Sequence, residues 1–137
     1  MKIVVIGSGP AGLAAAVSAS ENGAQVTLLE RMPELSIKLR ATGGGRCNLS
    51  NTLPPLDFMG SFGKNGRFMQ DALNRFPNEY LLNFLEENNV PIKAEDGFHY
   101  FPVSDRAADV ASAFRRKAAS KGTQFRTNAT VDRKSVV

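Results

Sequence analysis

Gly7-x-Gly9-x-x-Gly12, placed straight behind the apolar run Ile3-Val4-Val5-Ile6, constrains this chain more than any other feature. The run is uninterrupted and β-branched, the composition of a strand buried on both faces of a parallel sheet. Glycines at this spacing let the backbone turn tightly at Gly7, approach a pyrophosphate at Gly9 and bring a helix close to the strand at Gly12. Pro10 can open that helix, because the N–H it lacks is not used in the first turn. Ala11 lies in the same turn, where free N–H groups and the helix dipole favour a phosphate. Gln25 to Glu30 reads as the second strand and ends on an acid. A carboxylate there accepts hydrogen bonds from ribose hydroxyls and repels a 2′-phosphate, which disfavours NADP at this site. Residues 1–30 therefore read as a βαβ dinucleotide-binding unit.

A second glycine loop follows the second strand: Thr42-Gly43-Gly44-Gly45-Arg46-Cys47-Asn48. Consecutive glycines are entropically expensive to order. They make sense where backbone approaches a ligand too closely for side chains or turns through positive φ. Two such loops, one behind each of the first two strands, suggest one extended ligand held at two places.

The rest of the chain gives a coarser outline. An alanine-rich helix runs through Leu13 to Ser20 and stops at Asn22-Gly23. Arg31 to Gly66, with Pro33, Pro54, Pro55 and many glycines, reads as one long irregular stretch. Phe68, Met69, Ala72, Leu73 and Phe76 recur at helical spacing. After Pro77, Asn78 is placed to cap a second helix with Tyr80, Leu81, Phe84 and Leu85, and both stripes read as core. Val90–Ala94 and Phe98–Phe101 read as strands around a turn at Asp96-Gly97. Ser104 is a candidate N-cap for a helix with the apolar face Ala107, Val110, Ala111, Phe114 and Ala118, ended by Gly122. Thr123 to Asn128 reads as a further strand, and Val131 to Val137 shows no closing helix.

Composition excludes several function classes. The net charge of +4 comes from scattered basic residues, and Arg115-Arg116-Lys117 with Lys121 falls in the last turns of a helix, where cations complement its dipole. A nucleic-acid partner is therefore not expected. No apolar run approaches the roughly 20 residues that span a bilayer, and the start lacks a signal peptide's long apolar region. The chain is expected in the cytoplasm with no membrane partner. Cys47 is the only cysteine, which suits a reducing compartment and excludes an internal disulfide framework. The only histidine is His99, and no metal-ligand spacing stands out.

The fingerprint continued as Gly7-Ser8-Gly9-Pro10-Ala11-Gly12-Leu13, with Glu30-Arg31 after the second strand, resembles the FAD site of two-dinucleotide-binding-domain flavoproteins. Lys38-Leu39, Ala41 to Asn51, Phe62 to Phe68 and Phe101 to Ala107 narrow this further. They resemble the bacterial flavoprotein family of the YhiN, BaiN and aminoacetone-oxidase type, in order and over nearly the whole chain. The resemblance implies an α/β Rossmann-like FAD-binding domain with a parallel sheet and a βαβ start. It would span residues 1–137 and be incomplete at the C-terminus, because a C-terminal return completes the fold in longer family members. Such a piece alone is expected to bind FAD weakly.

The resemblance also implies a FAD-dependent oxidoreductase acting on a small-molecule substrate, with NAD(P)H as a candidate electron donor. The segment from Lys38 to Asn48 would lie along the FAD, with Thr42 to Gly45 near the isoalloxazine. The candidate cofactor-binding residues are thus Gly7, Gly9, Pro10, Ala11, Gly12, Glu30, Arg31, Lys38, Thr42, Gly43, Gly44, Gly45, Arg46, Cys47 and Asn48. A reduced flavin carries negative charge near N1 and the C2 carbonyl, and a nest of glycine N–H groups stabilises it. Arg46 is expected to tune that charge or to bind a neighbouring phosphate. Cys47 reads as packing ahead of a redox thiol, since disulfide exchange needs a second cysteine, and His99 as a packed or edge residue. Catalytic residues are not assigned. Two rivals stand: an NAD-binding dehydrogenase domain and a non-catalytic nucleotide-binding module.

Overall fold

The computed structural model describes residues 1–132. The expectation for Val131 to Val137 therefore lies mostly outside the described residues. β1 (Lys2–Ile6) runs through the Gly7 turn into α1 (Pro10–Glu21), and β2 (Gln25–Leu29) returns parallel to β1. Then come α2 (Ile37–Arg40), a 3-10 turn over Thr42–Gly45, β3 (Ser50–Asn51) and α3 (Pro55–Gly60). A longer 3-10 stretch, Gly63–Met69, leads into α4 (Gln70–Arg75) and α5 (Asn78–Glu87). β4 (Ile92–Ala94), β5 (His99–Pro102), α6 (Ala107–Ser120) and β6 (Gln124–Arg126) follow.

β1, β2 and β6 form a parallel sheet in the order β1-β2-β6, so the strand expected after Gly122 exists and pairs with β2. β3, β5 and β4 form a small antiparallel sheet, with the hairpin turning at Gly97 (φ +74°). Register divides the parallel sheet into two unlike faces. Ile3, Val5, Val26, Leu28 and Phe125 share one face, against which α1 and α6 pack. The core there joins Leu13, Ala16 and Val17 of α1 to Val110, Ala113, Phe114 and Ala118 of α6, with Leu85 of α5 alongside.

The opposite face carries Val4 and Ile6, which are 61% and 50% exposed. This corrects the expectation of a first strand buried on both faces. The run Ile3 to Ile6 is apolar throughout, but helices cover only one side of it among the described residues. Parallel sheets elsewhere are covered on both faces.

Four further expectations are corrected. Arg31 to Gly66 is not structureless; it carries α2, β3, α3 and a 3-10 turn. Phe68, Phe76 and Tyr80 do not enter the core: they are 94%, 42% and 51% exposed. Helical spacing aligns side chains on a stripe, and of these stripes Phe84 and Leu85 are buried in the core while Leu81 packs against it partly buried. Asn78 is the first residue of α5 rather than its cap; Pro77 holds the cap position, and the Asn78 amide donates to the Asn51 carbonyl at 2.9 Å. Ser104 does not cap α6 either. The positive φ of Asp105 (+53°) delays the helix, and Arg106 takes the cap position.

The basic end of α6 is spent on packing. Arg116 donates to the Asn88 carbonyl at 3.1 Å, and Lys117 pairs with Glu21 at 3.2 Å. Among the described residues, no helix is long and apolar enough to cross a membrane, and no group of three or more metal-ligating side chains comes together.

Candidate dinucleotide site

Gly7 adopts φ +94° at the end of β1, which turns the chain into α1. Gly12 lies so close to that turn that a Cβ on it would stand 2.0 Å from the Gly7 carbonyl oxygen. Its role is helix–strand packing, as its place in the fingerprint implies. Gly9 differs: a Cβ there meets nothing within 4 Å, and its φ of −69° suits any residue. The space in front of Gly9 is therefore open to a ligand. No side chain caps α1, and Pro10 has no N–H to satisfy, so the N–H groups of Ala11 and Gly12 face that space without an intrahelical partner.

Ser8, between the first two glycines, is buried and was not singled out by sequence reasoning. Its backbone N–H donates to Glu30 at 2.8 Å, and its hydroxyl donates to the same carboxylate oxygen at 2.5 Å. The hydroxyl also accepts from the Ser36 N–H at 2.9 Å, while the Ser36 hydroxyl donates to the Ser8 carbonyl. Ser36 is buried with φ +61°. The signal for this pair was faint: two serines spaced 28 residues apart.

Glu30 accepts from Met32 N–H through its other oxygen, 3.0 Å away. The Ser8 hydroxyl bond first, with the Met32 bond, holds its carboxyl below the usual range. It is thus a carboxylate at neutral pH, with three of roughly four acceptor positions filled. Arg31 and Lys38 are exposed, Lys38 on α2.

The second loop takes the left-handed backbone its glycines permit. Gly43, Gly44 and Gly45 have φ of +56°, +64° and +90°. A Cβ on Gly43 would stand 2.8 Å from the Asn48 nitrogen, whereas one on Gly44 would meet nothing within 4 Å. The turn closes with Cys47 N–H donating to the Thr42 carbonyl at 3.1 Å, and the Thr42 hydroxyl bonds the Leu39 carbonyl at 2.7 Å. Asn48 lies exposed beyond it.

The two loops meet. A largely apolar cavity of about 330 Å³ is lined by Pro10, Ala11 and Ala14 of α1 and by Thr42, Cys47 and Asn48 of the second loop. Leu39, Phe76 and Leu81 close other sides. Two larger clefts exist, one of about 410 Å³ along Pro33 to Ser36 and α6 and one of about 540 Å³ at the lower edge of the sheet. Neither is lined by a residue of either glycine loop.

Arg46 departs from its sequence reading, whereas Cys47 is buried, as its reading as a packed residue expects. Arg46 turns to protein carboxylates: its Nη2 lies 2.6 Å from Glu95 and 2.8 Å from Asp105. Cys47 is buried with φ +65°, and burial pushes its thiol up, outweighing the lowering effect of the Thr42 side chain. That environment suits packing rather than nucleophilic chemistry. Thiol reagents are expected to label it at least about tenfold more slowly in the native chain than in denaturant; equal rates would place the sulfur at the surface. His99 is partly exposed on β5 and paired with Asp96 at 2.6 Å.

Comparison with known proteins agrees with this geometry. A 3-dehydro-bile acid delta(4,6)-reductase of Clostridium scindens is 36% identical over 111 residues, covering 80% of this chain and 26% of the reductase. A ribosomal RNA dihydrouridine synthase of Haemophilus influenzae is 28% identical over 88 residues, covering 64% of this chain and 21% of the synthase. The chain thus spans about a quarter of the length of these curated relatives. In fold it is similar to Thermovibrio ammonificans THI4, with a TM-score of 0.60, 16% identity and coverage of 92% and 38% of the two chains. It is also similar to a 3-ketosteroid-delta4-(5alpha)-dehydrogenase from Rhodococcus jostii, with a TM-score of 0.58, 17% identity and coverage of 91% and 37%. The family profile of the HI0933-like protein Rossmann domain matches residues 1–136, and with the fingerprint, Glu30 and the second glycine loop in place, this chain belongs to that family.

Proposed function

We propose that this chain is the FAD-binding portion of a flavin-dependent oxidoreductase, with the dinucleotide running from Glu30 past Gly9 to the Gly43–Gly45 loop. The observation that carries the reading is the shared cavity, which joins Pro10 and Ala11 at the α1 N-terminus to Thr42, Cys47 and Asn48. An NAD-binding domain needs the first of these loops, but gives no reason for a second glycine-rich loop whose Thr42, Cys47 and Asn48 line the same cavity. FAD, when bound, supplies hydride or electron transfer, with NAD(P)H as a candidate donor. The chain's own residues do the rest. Ala11 and Gly12 N–H groups face the pyrophosphate, Glu30 receives the ribose, and the glycine loop presents backbone where side chains would intrude.

The substrate is a small molecule in this reading. Of the two relatives described above, one is named a reductase of a 3-dehydro-bile acid and the other a synthase of dihydrouridine in ribosomal RNA, a nucleoside made from uridine by saturating a carbon–carbon double bond. Reduction of a carbon–carbon double bond is accordingly the reaction class we favour, in the cytoplasm. Titration of the whole chain with FAD and with NAD, followed by flavin fluorescence and by competition, tests the cofactor. FAD is expected to bind at least about tenfold more tightly than NAD, and Glu30→Gln to weaken FAD about tenfold. Tighter binding of NAD would favour the dehydrogenase, and binding of neither would leave the cofactor reading without support.

A further inference from the structure

Arg46 follows directly on the glycine turn, does not line the cavity, and directs its Nε and Nη2 to protein carboxylates. Its Nε lies 3.0 Å and its Nη2 2.8 Å from the same Asp105 oxygen, and its Nη2 lies 2.6 Å from both oxygens of Glu95. The guanidinium carbon sits 4.4 Å from the centre of the Phe101 ring. Lys93 completes the group, 2.8 Å from the other Asp105 oxygen and 3.6 Å from Glu95. Two cations and two carboxylates therefore alternate in one balanced cluster. Lys93 belongs to β4, Glu95 to the hairpin, Phe101 to β5 and Asp105 to the corner before α6.

The loop this cluster touches turns through three left-handed glycines. Among its closing bonds are Arg46 N–H to the Gly43 carbonyl at 3.2 Å and Cys47 N–H to the Thr42 carbonyl at 3.1 Å. Ordering a backbone costs conformational entropy, with glycine at the costly end. A lone exposed ion pair offsets little of that. Here one arginine fork is shared by two carboxylates and stacked on a ring, a geometry that lysine cannot copy. With its charge balanced inside this cluster, Arg46 commits its Nε and Nη2 to the protein.

We propose that Arg46 is a positioning residue: gripped by Asp105 and Glu95 and stacked on Phe101, it fastens the Gly43–Gly45 loop to the β4–β5 hairpin and so fixes the cradle at the far end of the dinucleotide. The cradle's role rests on the FAD reading above; the fastening itself does not.

The experiment uses the whole chain and reads two quantities: amide hydrogen exchange without ligand, and FAD affinity. Arg46→Gln and Asp105→Asn are each expected to speed exchange at the Cys47 amide about tenfold, leave Leu28 and Leu85 unchanged, and weaken FAD about tenfold. The exchanged pair Arg46→Asp with Asp105→Arg is expected to recover part of both. Unchanged exchange at Cys47 overturns the fastening, and faster exchange everywhere makes Arg46 a general stabiliser and overturns it too. Faster local exchange with unaltered FAD affinity overturns the cradle's role. Failure of the unsubstituted chain to bind FAD removes the FAD reading alone, since exchange still judges the fastening.

Discussion

Gly12→Ala is expected to lower the melting temperature by about 10 °C or prevent folding outright, whereas Gly9→Ala is expected to melt within about 2 °C of the parent. The two substitutions add the same methyl group only three positions apart. At Gly12 it would stand 2.0 Å from the Gly7 carbonyl oxygen and 3.1 Å from its carbon, both backbone atoms that cannot swing aside. α1 would have to lift from β1, and overpacking of that severity costs about 3 kcal/mol or more of a total near 5–15 kcal/mol. At Gly9 the methyl meets open space with an ordinary φ, and a glycine replaced at a compatible site gains a few tenths of a kcal/mol. The same methyl occupies the space in front of the α1 N-terminus, so FAD affinity is expected to fall at least about tenfold. Thermal melts beside a flavin titration would separate the packing glycine from the binding glycine. A Gly9→Ala chain with undiminished FAD affinity would remove the pyrophosphate from this position.

Gly43→Val is expected to be the more damaging change in the second loop, and Gly44→Val the milder. Both residues sit at left-handed φ, which costs a non-glycine residue about 1–2 kcal/mol and a β-branched one more. Gly43 adds a collision, because its Cβ would lie 2.8 Å from the Asn48 nitrogen and 3.7 Å from the Phe101 ring. Melting is expected to drop by about 8 °C for Gly43→Val and about 4 °C for Gly44→Val, with FAD affinity falling at least tenfold in both. Native melting and native affinity in Gly43→Val would take the loop out of the site.

The parts of this chain legible in the sequence are those decided locally. The βαβ start, the strand after Gly122 and the left-handed glycines follow from spacing, turn chemistry and backbone sterics within a few residues. The helical stripe through Phe68 and Phe76 shows the limit of that reasoning. Periodicity says that side chains share a face, but the layer that covers a face is set by tertiary packing, and here Phe68 has none. Arg46 was read as a free cation because its partners Glu95 and Asp105 lie 49 and 59 residues further along. Ser8 was passed over because its fingerprint position admits any residue, and only the fold brings Glu30 and Ser36 to it.

Ser8 has a consequence beyond packing. Its hydroxyl owns one proton, given to Glu30, while its lone pair takes the Ser36 N–H. The acid at the end of β2 and the residue that begins α2 are therefore linked through a single oxygen, and α2 leads directly into the glycine loop. If a ribose binds at Glu30 as proposed, it competes with the Ser8 hydroxyl, and cofactor binding is then coupled to the residue that leads into α2.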